Sequence, residues 1–249
     1  VSMVDGDRHT VCISSQVGCA LDCSFCATGS LGLNRNLSTG EIVDQLIYIR
    51  GNIDHPITNV VFMGMGEPFH NYENVLNAAD IFHSPKGFNL GSTRITISTA
   101  GLLPQIKQFI DEKRRYKLAI SLNASDDGVR NKIMPINKKW NINYLIQTGR
   151  KYSNQKKRLV MFEYVLLKGI NDSEKDALEL AHLLQGIPCK LNLIPYNETD
   201  GKYQRPDKDV ITRFSEILHN NRDGYRVLVR WSKGQDIEAA CGQLATTNE

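Results

Sequence analysis

Short runs of β-branched residues alternate with longer stretches of helical period along nearly the whole chain. Strands are predicted over residues 10–14, 59–63, 94–98, 117–122, 159–166 and 190–194, with a seventh short strand over residues 226–230. A helix candidate follows most of the first six. Six strand-then-helix units in succession predict a parallel sheet with right-handed crossovers, either an open doubly wound sheet or a barrel. In both arrangements the chemistry lies at the carboxyl ends of the strands.

Several helices have recognisable start signals. Ser38 and Glu41 have the spacing of a capping box, and apolar residues then recur on one helical face. Asn71 is predicted to cap a helix through residue 81, Pro104 to lie in the first turn of a helix through residue 111, and Ser173 to cap a helix through residue 184. Two further helices are expected, over residues 144–152 and 210–220.

The composition is that of an ordinary globular protein, with 249 residues, 30 basic against 27 acidic side chains and 41% apolar residues. This excludes an intrinsically disordered chain and a collagen-like repeat, and the length fits one large domain. The longest apolar stretches, residues 60–63 and 164–167, fall far short of the roughly 20 residues that span a bilayer. With no secretory signal, we expect a cytoplasmic protein that contacts no membrane and keeps its cysteines reduced. Because the chain opens with Val1 rather than Met, we expect a fragment of a longer protein.

Three cysteines, Cys19, Cys23 and Cys26, follow the first strand with the spacing C-x3-C-x2-C. Three thiolates on one loop suit a four-iron cluster that leaves one iron open for another ligand, whereas a structural zinc site needs four ligands. The alternatives are a zinc site completed by a distant Cys or His, and chance clustering. The spacing favours an iron–sulfur cluster, because it is much more specific than a lone C-x-x-C.

The cysteine loop resembles the cluster motif of the radical S-adenosylmethionine superfamily. Together with four further segments in the same order, it resembles the RlmN/Cfr family of RNA adenine methyltransferases over nearly the whole chain. These segments are Val11 to Cys19, Gly64-Met65-Gly66-Glu67-Pro68, Met134-Pro135-Ile136-Asn137 and Asp236 to Leu244. The resemblance implies an incomplete parallel (β/α)6 barrel, with residues 1–249 forming the catalytic domain and an N-terminal accessory domain of the family missing from this sequence.

The resemblance also implies two cofactors, a [4Fe-4S] cluster on the three cysteines and S-adenosylmethionine (SAM). The glycines of the Gly64 to Pro68 segment let the backbone approach a ligand closely, and Glu67 can accept hydrogen bonds from an ammonium or hydroxyl group. By resemblance this segment contacts the methionine part of SAM. Asn123 departs from the His often found at its position in the adenine-C2 branch. The implied SAM contacts are Gly66, Glu67, Ser98, Ser121, Leu122, Asn123 and Asn197.

Cys12 and Cys241 are not explained by a cluster, and Cys189 is assigned to the core. By resemblance, Cys241 carries the methyl group and Cys12 is its resolving partner. Direct methylation of C2 of adenine is excluded because this carbon has no lone pair, so a 5′-deoxyadenosyl radical must activate the methyl thioether of Cys241. Thiolate attack by Cys12 then releases the product and leaves a disulfide.

A lowered thiol pKa is expected from the cluster or nearby cations. Gly242 suggests a turn that exposes the Cys241 thiol. The family glutamate that assists removal of the base proton would precede Val1.

The implied partners are 23S rRNA, a tRNA and an external electron donor such as a flavodoxin. The protein itself is expected to be a monomer. Among several basic groups, Arg226 and Arg230 are the preferred RNA contacts, because they lie closest in sequence to Cys241. Three alternatives stay open. The first is the antibiotic-resistance branch, which methylates C8 of the same adenine. The second is a non-catalytic RNA-binding protein with a structural metal, and the third is a radical enzyme acting on a small molecule or protein.

Overall fold

The computed structural model describes residues 1–156, 158–199, 202–231 and 241–244. Its main feature is an eight-stranded sheet in the order β1-β2-β5-β6-β7-β8-β9-β10, in which β1 is antiparallel to β2 and every other pairing is parallel. The sheet curls into a half-barrel, which confirms the predicted incomplete (β/α)6 barrel. A separate hairpin is formed by β3 and β4. The strands are β1 Ser2–Asp5, β2 Arg8–Cys12, β3 Gln16–Gly18, β4 Leu33–Asn36, β5 Asn59–Phe62, β6 Ile95–Thr99, β7 Lys117–Ser121, β8 Val160–Leu166, β9 Cys189–Pro195 and β10 Tyr225–Val229.

Eight α-helices follow or connect these strands in the described part of the chain. They are α1 Ala27–Ser30, α2 Thr39–Gly51, α3 Tyr72–His83, α4 Leu103–Asp111, α5 Asp127–Ile133, α6 Ile142–Lys156, α7 Glu174–Leu184 and α8 Lys208–Asn220. Short 3-10 turns precede α3, β6 and α6, at Pro68–Asn71, Ser92–Arg94 and Pro135–Lys138. No helix among the described residues has the length and apolar character that a membrane span requires.

All seven predicted strands are present, with ends that differ by at most two residues. The first strand ends at Cys12 rather than residue 14, because the side chain of Gln45 replaces a neighbouring strand there. Its Oε1 accepts from the Ser14 N–H (2.9 Å) and its Nε2 donates to the Ser14 carbonyl (3.0 Å). Strand β1 was not predicted, although Asp5 and Gly6 form a dipeptide typical of hairpin turns and Gly6 has a positive φ of 55°.

The helix start signals were correct at Ser38 and Ser173, each of which forms a complete capping box. Asn71 does precede α3, but its side chain makes no capping hydrogen bond. Its amide instead donates to the carbonyl oxygens of Ser15 (2.8 Å) and Leu37 (2.6 Å), so it joins the loop after β2 to the start of α2.

The two faces of the sheet have different roles. Along β8, Phe162 and Tyr164 are fully buried towards the helices, whereas Glu163 and Val165 line a cavity on the inner face. Helix α6 packs closely on this strand at Gly149, where a Cβ atom would lie 2.7 Å from the Phe162 ring. The apolar core therefore lies between sheet and helices, and the concave face is free to carry polar groups.

Candidate active site

The three thiols of the C-x3-C-x2-C motif line one cavity of about 170 Å³ on the concave face. Their loop is held at several points. Cys19 N–H donates to the Gly32 carbonyl of the β3–β4 hairpin (2.8 Å), Ser24 N–H donates to the Ile133 carbonyl of α5 (3.0 Å), and Cys26 is the N-cap residue of α1. The loop thus presents the three sulfurs to the cavity from a fixed backbone.

The three sulfurs are not gathered closely enough to hold one zinc ion. A tetrahedral zinc site with Zn–S bonds of about 2.3 Å holds its sulfurs about 3.8 Å apart. The Sγ atoms of Cys19, Cys23 and Cys26 are not all within 4.8 Å of one another. Among the described residues only Asp126, Asp176 and Glu179 gather so closely, and none of them lines the cavity. The three thiols therefore suit a larger polynuclear centre better than a single ion.

The protonation of these thiols also fits a cationic centre. Burial raises the pKa of Cys19 to about 11 and that of Cys23 well above its ordinary range, and the charge of Cys26 raises both further. Thiolates gathered in a partly buried cavity are costly together unless positive charge lies among them. Iron supplies that charge, so the donor set fits a four-iron cluster.

The glycine segment after β5 is packed too tightly for larger residues. A Cβ atom on Gly64 would lie 2.8 Å from the Ile13 carbonyl group, and one on Gly66, whose φ is 95°, would lie 2.5 Å from the Gln16 side chain. Both glycines line the cavity. The glycines let this backbone approach closely, as the sequence predicted. The groups it approaches are the residues after β2, and both glycines also line the cavity.

Glu67 is buried, with 3% of its surface exposed, and lines the same cavity. Its two oxygens accept from the backbone, Oε1 from Phe69 N–H (3.0 Å) and Oε2 from Ala100 N–H (2.7 Å). Burial raises its pKa to about 7, and these hydrogen bonds oppose the rise. The carboxyl group thereby ties the glycine segment to the end of β6, a structural role that sequence analysis did not assign.

Four of the predicted polar residues, Ser98, Ser121, Asn123 and Asn197, line the cavity at strand ends. Leu122 does not, because its side chain is fully buried in the apolar core. The Asn123 side-chain amide makes contacts within the protein through both its oxygen and its nitrogen. Its Oδ1 accepts from Val165 N–H (2.9 Å), and its Nδ2 contacts the Met134 sulfur at 3.3 Å.

Arg130 on α5 was missed by sequence analysis, yet it organises these strand ends. Its guanidinium, 0% exposed, donates to the carbonyl oxygens of Ala100 (2.7 Å), Ser121 (2.9 Å) and Leu122 (2.8 Å). It also donates to Asn137 Oδ1 (2.9 Å). Asn137 belongs to the Met134 to Asn137 motif, which therefore positions Arg130.

Cys241 lines the cavity on the side of the cysteine loop. The Ala27 N–H donates to the Gly242 carbonyl (2.8 Å), the Thr28 hydroxyl donates to the Leu244 carbonyl (2.5 Å), and the Asn197 amide donates to the Cys241 carbonyl (3.0 Å). Gly242 has a φ of 86°, which confirms the predicted turn, and Cys241 is half-buried. The other part of its motif, residues 236–240, lies outside the described residues.

Cys12, at the end of β2, is buried beside this site. Burial raises its pKa to about 12, the charge of the Cys241 thiolate raises it further, and the N–H of Met63 and the charge of Arg230 lower it. Burial also raises the pKa of Cys241, again opposed by Arg230. The expected lowering of the thiol pKa by cations is thus present, but burial outweighs it. All six cysteines are free thiols.

The two arginines predicted to contact RNA lie at opposite ends of β10. Arg226 is exposed and pairs in register with Lys190 at the amino end, whereas Arg230 directs Nη1 towards the Met63 sulfur (3.9 Å) at the cavity. Arg230 is the residue just after β10, and four residue steps of extended chain put the two about 13 Å apart. They do not form one RNA-contacting patch, and Arg230 belongs to the cysteine site. Lys233, a further basic residue between Arg230 and Cys241 in sequence, lies outside the described residues.

The comparisons with known proteins agree with this geometry. The family model described as the radical SAM superfamily matches residues 13–181. "Dual-specificity RNA methyltransferase RlmN 2" of Myxococcus xanthus is 47% identical over 259 residues, covering 100% of this chain and 68% of that protein. The chain belongs to the radical SAM superfamily and, within it, to the RlmN family. A second relative, RlmN of Desulfotalea psychrophila, is 46% identical, covering 99% of this chain and 70% of the relative.

Solved structures support the same placement. A crystallised radical SAM methyltransferase from Sphaerobacter thermophilus matches with a TM-score of 0.93 and 47% identity, covering 97% of this chain and 72% of that one. SuiB of Streptococcus suis, solved with S-adenosylmethionine, matches with a TM-score of 0.64 at 13% identity, over 90% of this chain and 52% of that one, and so shows the fold alone. The chain spans about two thirds of the length of its RlmN relatives. As a radical SAM protein it uses a [4Fe-4S] cluster and SAM.

Proposed function

We propose that this chain is the catalytic domain of an RNA methyltransferase that adds a methyl group to C2 of an adenosine in 23S rRNA and in tRNA. Relatives at 46–47% identity are named dual-specificity RNA methyltransferases. The observation that supports this most is the meeting of Cys241 with Cys19, Cys23 and Cys26 at one cavity. A zinc site completed by Cys241 is disfavoured, because no three of these four sulfurs lie within 4.8 Å of one another, as zinc ligands do.

In this proposal Cys19, Cys23 and Cys26 hold the cluster, and SAM occupies the rest of the cavity. The cavity-lining residues of the SAM set are Gly66, Glu67, Ser98, Ser121, Asn123 and Asn197. Leu122 contributes through its backbone, since its carbonyl is held by Arg130 beside Ser121. When bound, the reduced cluster and SAM supply a 5′-deoxyadenosyl radical.

The two remaining cysteines of the site have different roles: Cys241 carries the methyl group, and Cys12 releases the methylated base. Cys241 Sγ takes up the methyl group and presents it at the cavity, where the backbone bonds of Ala27, Thr28 and Asn197 hold its segment. Once the methyl carbon is bonded to the base, the Cys12 thiolate attacks Cys241 Sγ, and the sulfur–carbon bond breaks with its electron pair going to the carbon. The carbon then takes up a proton to become the methyl group, and a disulfide remains. The charge of the Cys241 thiolate raises the pKa of Cys12, which supports the pairing of the two sulfurs.

The proposal includes partners that lie outside this chain. An external one-electron donor, such as a flavodoxin, reduces the cluster, and a further reductant returns the disulfide to two thiols. We propose that the protein works as a monomer in the cytoplasm, where six free thiols are stable.

The rival functions make different products. The antibiotic-resistance branch gives 8-methyladenosine through the same fold. A structural-metal protein binds zinc, which the wide spacing of the three sulfurs disfavours. A radical enzyme for another substrate has no need of methylated Cys241.

The test is anaerobic reconstitution with iron and sulfide, followed by methyl-labelled SAM, a reductant and unmodified 23S rRNA. Mass spectrometry of the digested nucleosides and of the Cys241 peptide gives the readout. We expect 2-methyladenosine from the wild type and none from Cys241→Ala, with Cys189→Ala as the matched control because Cys189 lies buried in β9. A product of 8-methyladenosine assigns the chain to the rival branch. Failure to bind iron or to methylate Cys241 contradicts the proposal itself.

A further inference from the structure

Glu163, in the middle of β8, is a buried carboxylate that the proposed chemistry does not yet use. It lines the cavity with 4% of its surface exposed. Oε1 accepts from the Asn192 amide (2.8 Å), but Oε2 is buried and finds no hydrogen-bond partner among the described residues. An unpaired buried carboxylate oxygen costs free energy unless the cavity brings it a donor.

The surroundings of Glu163 indicate which part of the cavity it serves. It lies level with Ser121 on β7 and Asn192 on β9, as their strand register shows. Its negative charge acts on Cys241, and the charge of Arg230 acts on both groups. The Glu163 carboxyl group therefore lies on the side of the cavity where Cys241 lies.

The proposed methyl transfer needs a proton acceptor at this place. Only the thiolate of Cys241 is a competent nucleophile, yet burial raises the pKa of this thiol. Of the two glutamates that line the cavity, Glu67 already accepts a backbone N–H on each oxygen. Cys19, Cys23 and Cys26 are committed to the cluster. Among the residues that the structure describes, Glu163 Oε2 is the carboxylate oxygen left for the task.

We propose that Glu163 Oε2 accepts the proton of the Cys241 thiol when this thiol takes up its methyl group. The S–H bond of Cys241 breaks as an O–H bond forms on Glu163. The freed electron pair on sulfur forms the bond to the methyl carbon of SAM, and the old carbon–sulfur pair leaves with S-adenosylhomocysteine. Asn192 orients the carboxyl group by holding Oε1. This role rests on the proposed function of Cys241 as methyl carrier.

The test measures the rate at which Cys241 becomes methylated in the iron-loaded chain given SAM without reductant, so that no radical forms. Glu163→Gln keeps the shape and removes the acceptor, Glu163→Asp keeps a carboxylate, and Glu73→Gln makes the same change at an exposed position of α3. We expect methylation at least about tenfold slower in Glu163→Gln, since general bases contribute typically 10²–10⁴-fold. The Asp variant retains most of the rate, and the α3 variant is unchanged.

If the Glu163 charge acted only electrostatically, Glu163→Gln would change the methylation rate in the opposite direction. The Glu163 charge raises the pKa of Cys241, so its removal would favour the thiolate and speed the reaction. Methylation in Glu163→Gln that is as fast as wild type, or faster, overturns the proposal. If Glu163→Gln fails to fold or to bind iron, judged by circular dichroism and visible absorbance, Glu163→Ala decides, because it also removes the acceptor and the same slower rate is expected.

A second readout separates this proposal from the function on which it rests. Iodoacetamide modifies Cys241 without SAM, and the rate is followed on the Cys241 peptide. If SAM does not methylate the wild type, the proposed function fails, and the iodoacetamide rate still tests Glu163. A slower reaction in Glu163→Gln supports the proton acceptor, and an equal or faster one overturns it.

Discussion

The backbone N–H of Ala27 donates to the carbonyl oxygen of Gly242 at 2.8 Å, and so joins the residue after Cys241 to the residue after Cys26. A cysteine proposed to carry the methyl group and a cysteine proposed to bind the cluster are thus each one residue from the same hydrogen bond. The position of Cys241 depends directly on the cluster loop, although more than 200 residues separate them in sequence.

The hydroxyl of Thr28 strengthens this connection through its bond to the Leu244 carbonyl. We expect Thr28→Val to release residues 241–244 and cost about 0.5–1.5 kcal/mol, the usual net value of such a bond. Cluster absorbance is unchanged, whereas methylation of Cys241 slows and amide hydrogen exchange at residues 242–244 speeds up. Ser30→Ala is the control, since the exposed Ser30 hydroxyl bonds only within its own helix. Equal exchange in both variants contradicts the expectation.

A methyl group at Gly64 tests the packing of the glycine segment. Its Cβ atom would lie 2.8 Å from the Ile13 carbonyl and 2.7 Å from the Ser14 hydroxyl. Gly64→Ala is expected to lower the free energy of unfolding by about 1–3 kcal/mol, the usual cost of overpacking. Gly51→Ala is the matched control, because a Cβ atom there meets nothing within 4 Å in α2 and Ala gains up to about 1 kcal/mol in a helix. Urea unfolding measures both, and a neutral Gly64→Ala contradicts the packing argument.

The strands and the cysteine loop could be predicted because they depend on local patterns. Short runs of β-branched and apolar residues mark β6 and β7, and the spacing from Cys19 to Cys26 is visible without any tertiary information. Helix α5 was missed because Asp126 to Gly128 has the composition of a turn. In the structure Asp126 caps this helix, and its side chain accepts from the N–H groups of Gly128 and Val129.

The buried charges could not be predicted, because sequence reasoning assigns charged residues to the surface. Arg130 and Glu163 lie inside only because strands far apart in sequence bring carbonyl groups or an amide to them. The Met134 to Asn137 motif did carry a signal for Arg130, but its meaning depends on the contact between Asn137 and the guanidinium. Tertiary contacts, rather than local propensity, decide these positions.

Arg130→Met is expected to disturb stability and cofactor binding together. Three buried carbonyl oxygens lose their donor, at about 1–3 kcal/mol each, so the free energy of unfolding falls by at least about 3 kcal/mol. Because Ser121 and Leu122 are released, SAM binds at least several-fold more weakly. Calorimetry on the iron-loaded chain and urea unfolding provide the measurements. Lys132→Met removes an exposed charge from the same helix and should change neither. If Arg130→Met matches this control, Arg130 does not organise the strand ends.

The carboxyl group of Glu67 makes the stability of the fold depend on pH. Burial raises its pKa from 4.5 to about 7. Between these values the folded chain keeps a proton that the unfolded chain has lost, so the free energy of unfolding falls as the pH rises through this interval and levels off above it.

Glu67→Gln has no titratable proton at this position. The difference in stability between wild type and this variant therefore shifts in favour of the variant as the pH rises from about 4.5 to about 7. Urea unfolding of the iron-free chain, followed by circular dichroism, measures that difference, and Glu73→Gln on the exposed face of α3 gives the flat reference. A difference that is constant across the interval, or that moves towards the wild type, shows that Glu67 is ionised throughout and that its two backbone hydrogen bonds outweigh burial.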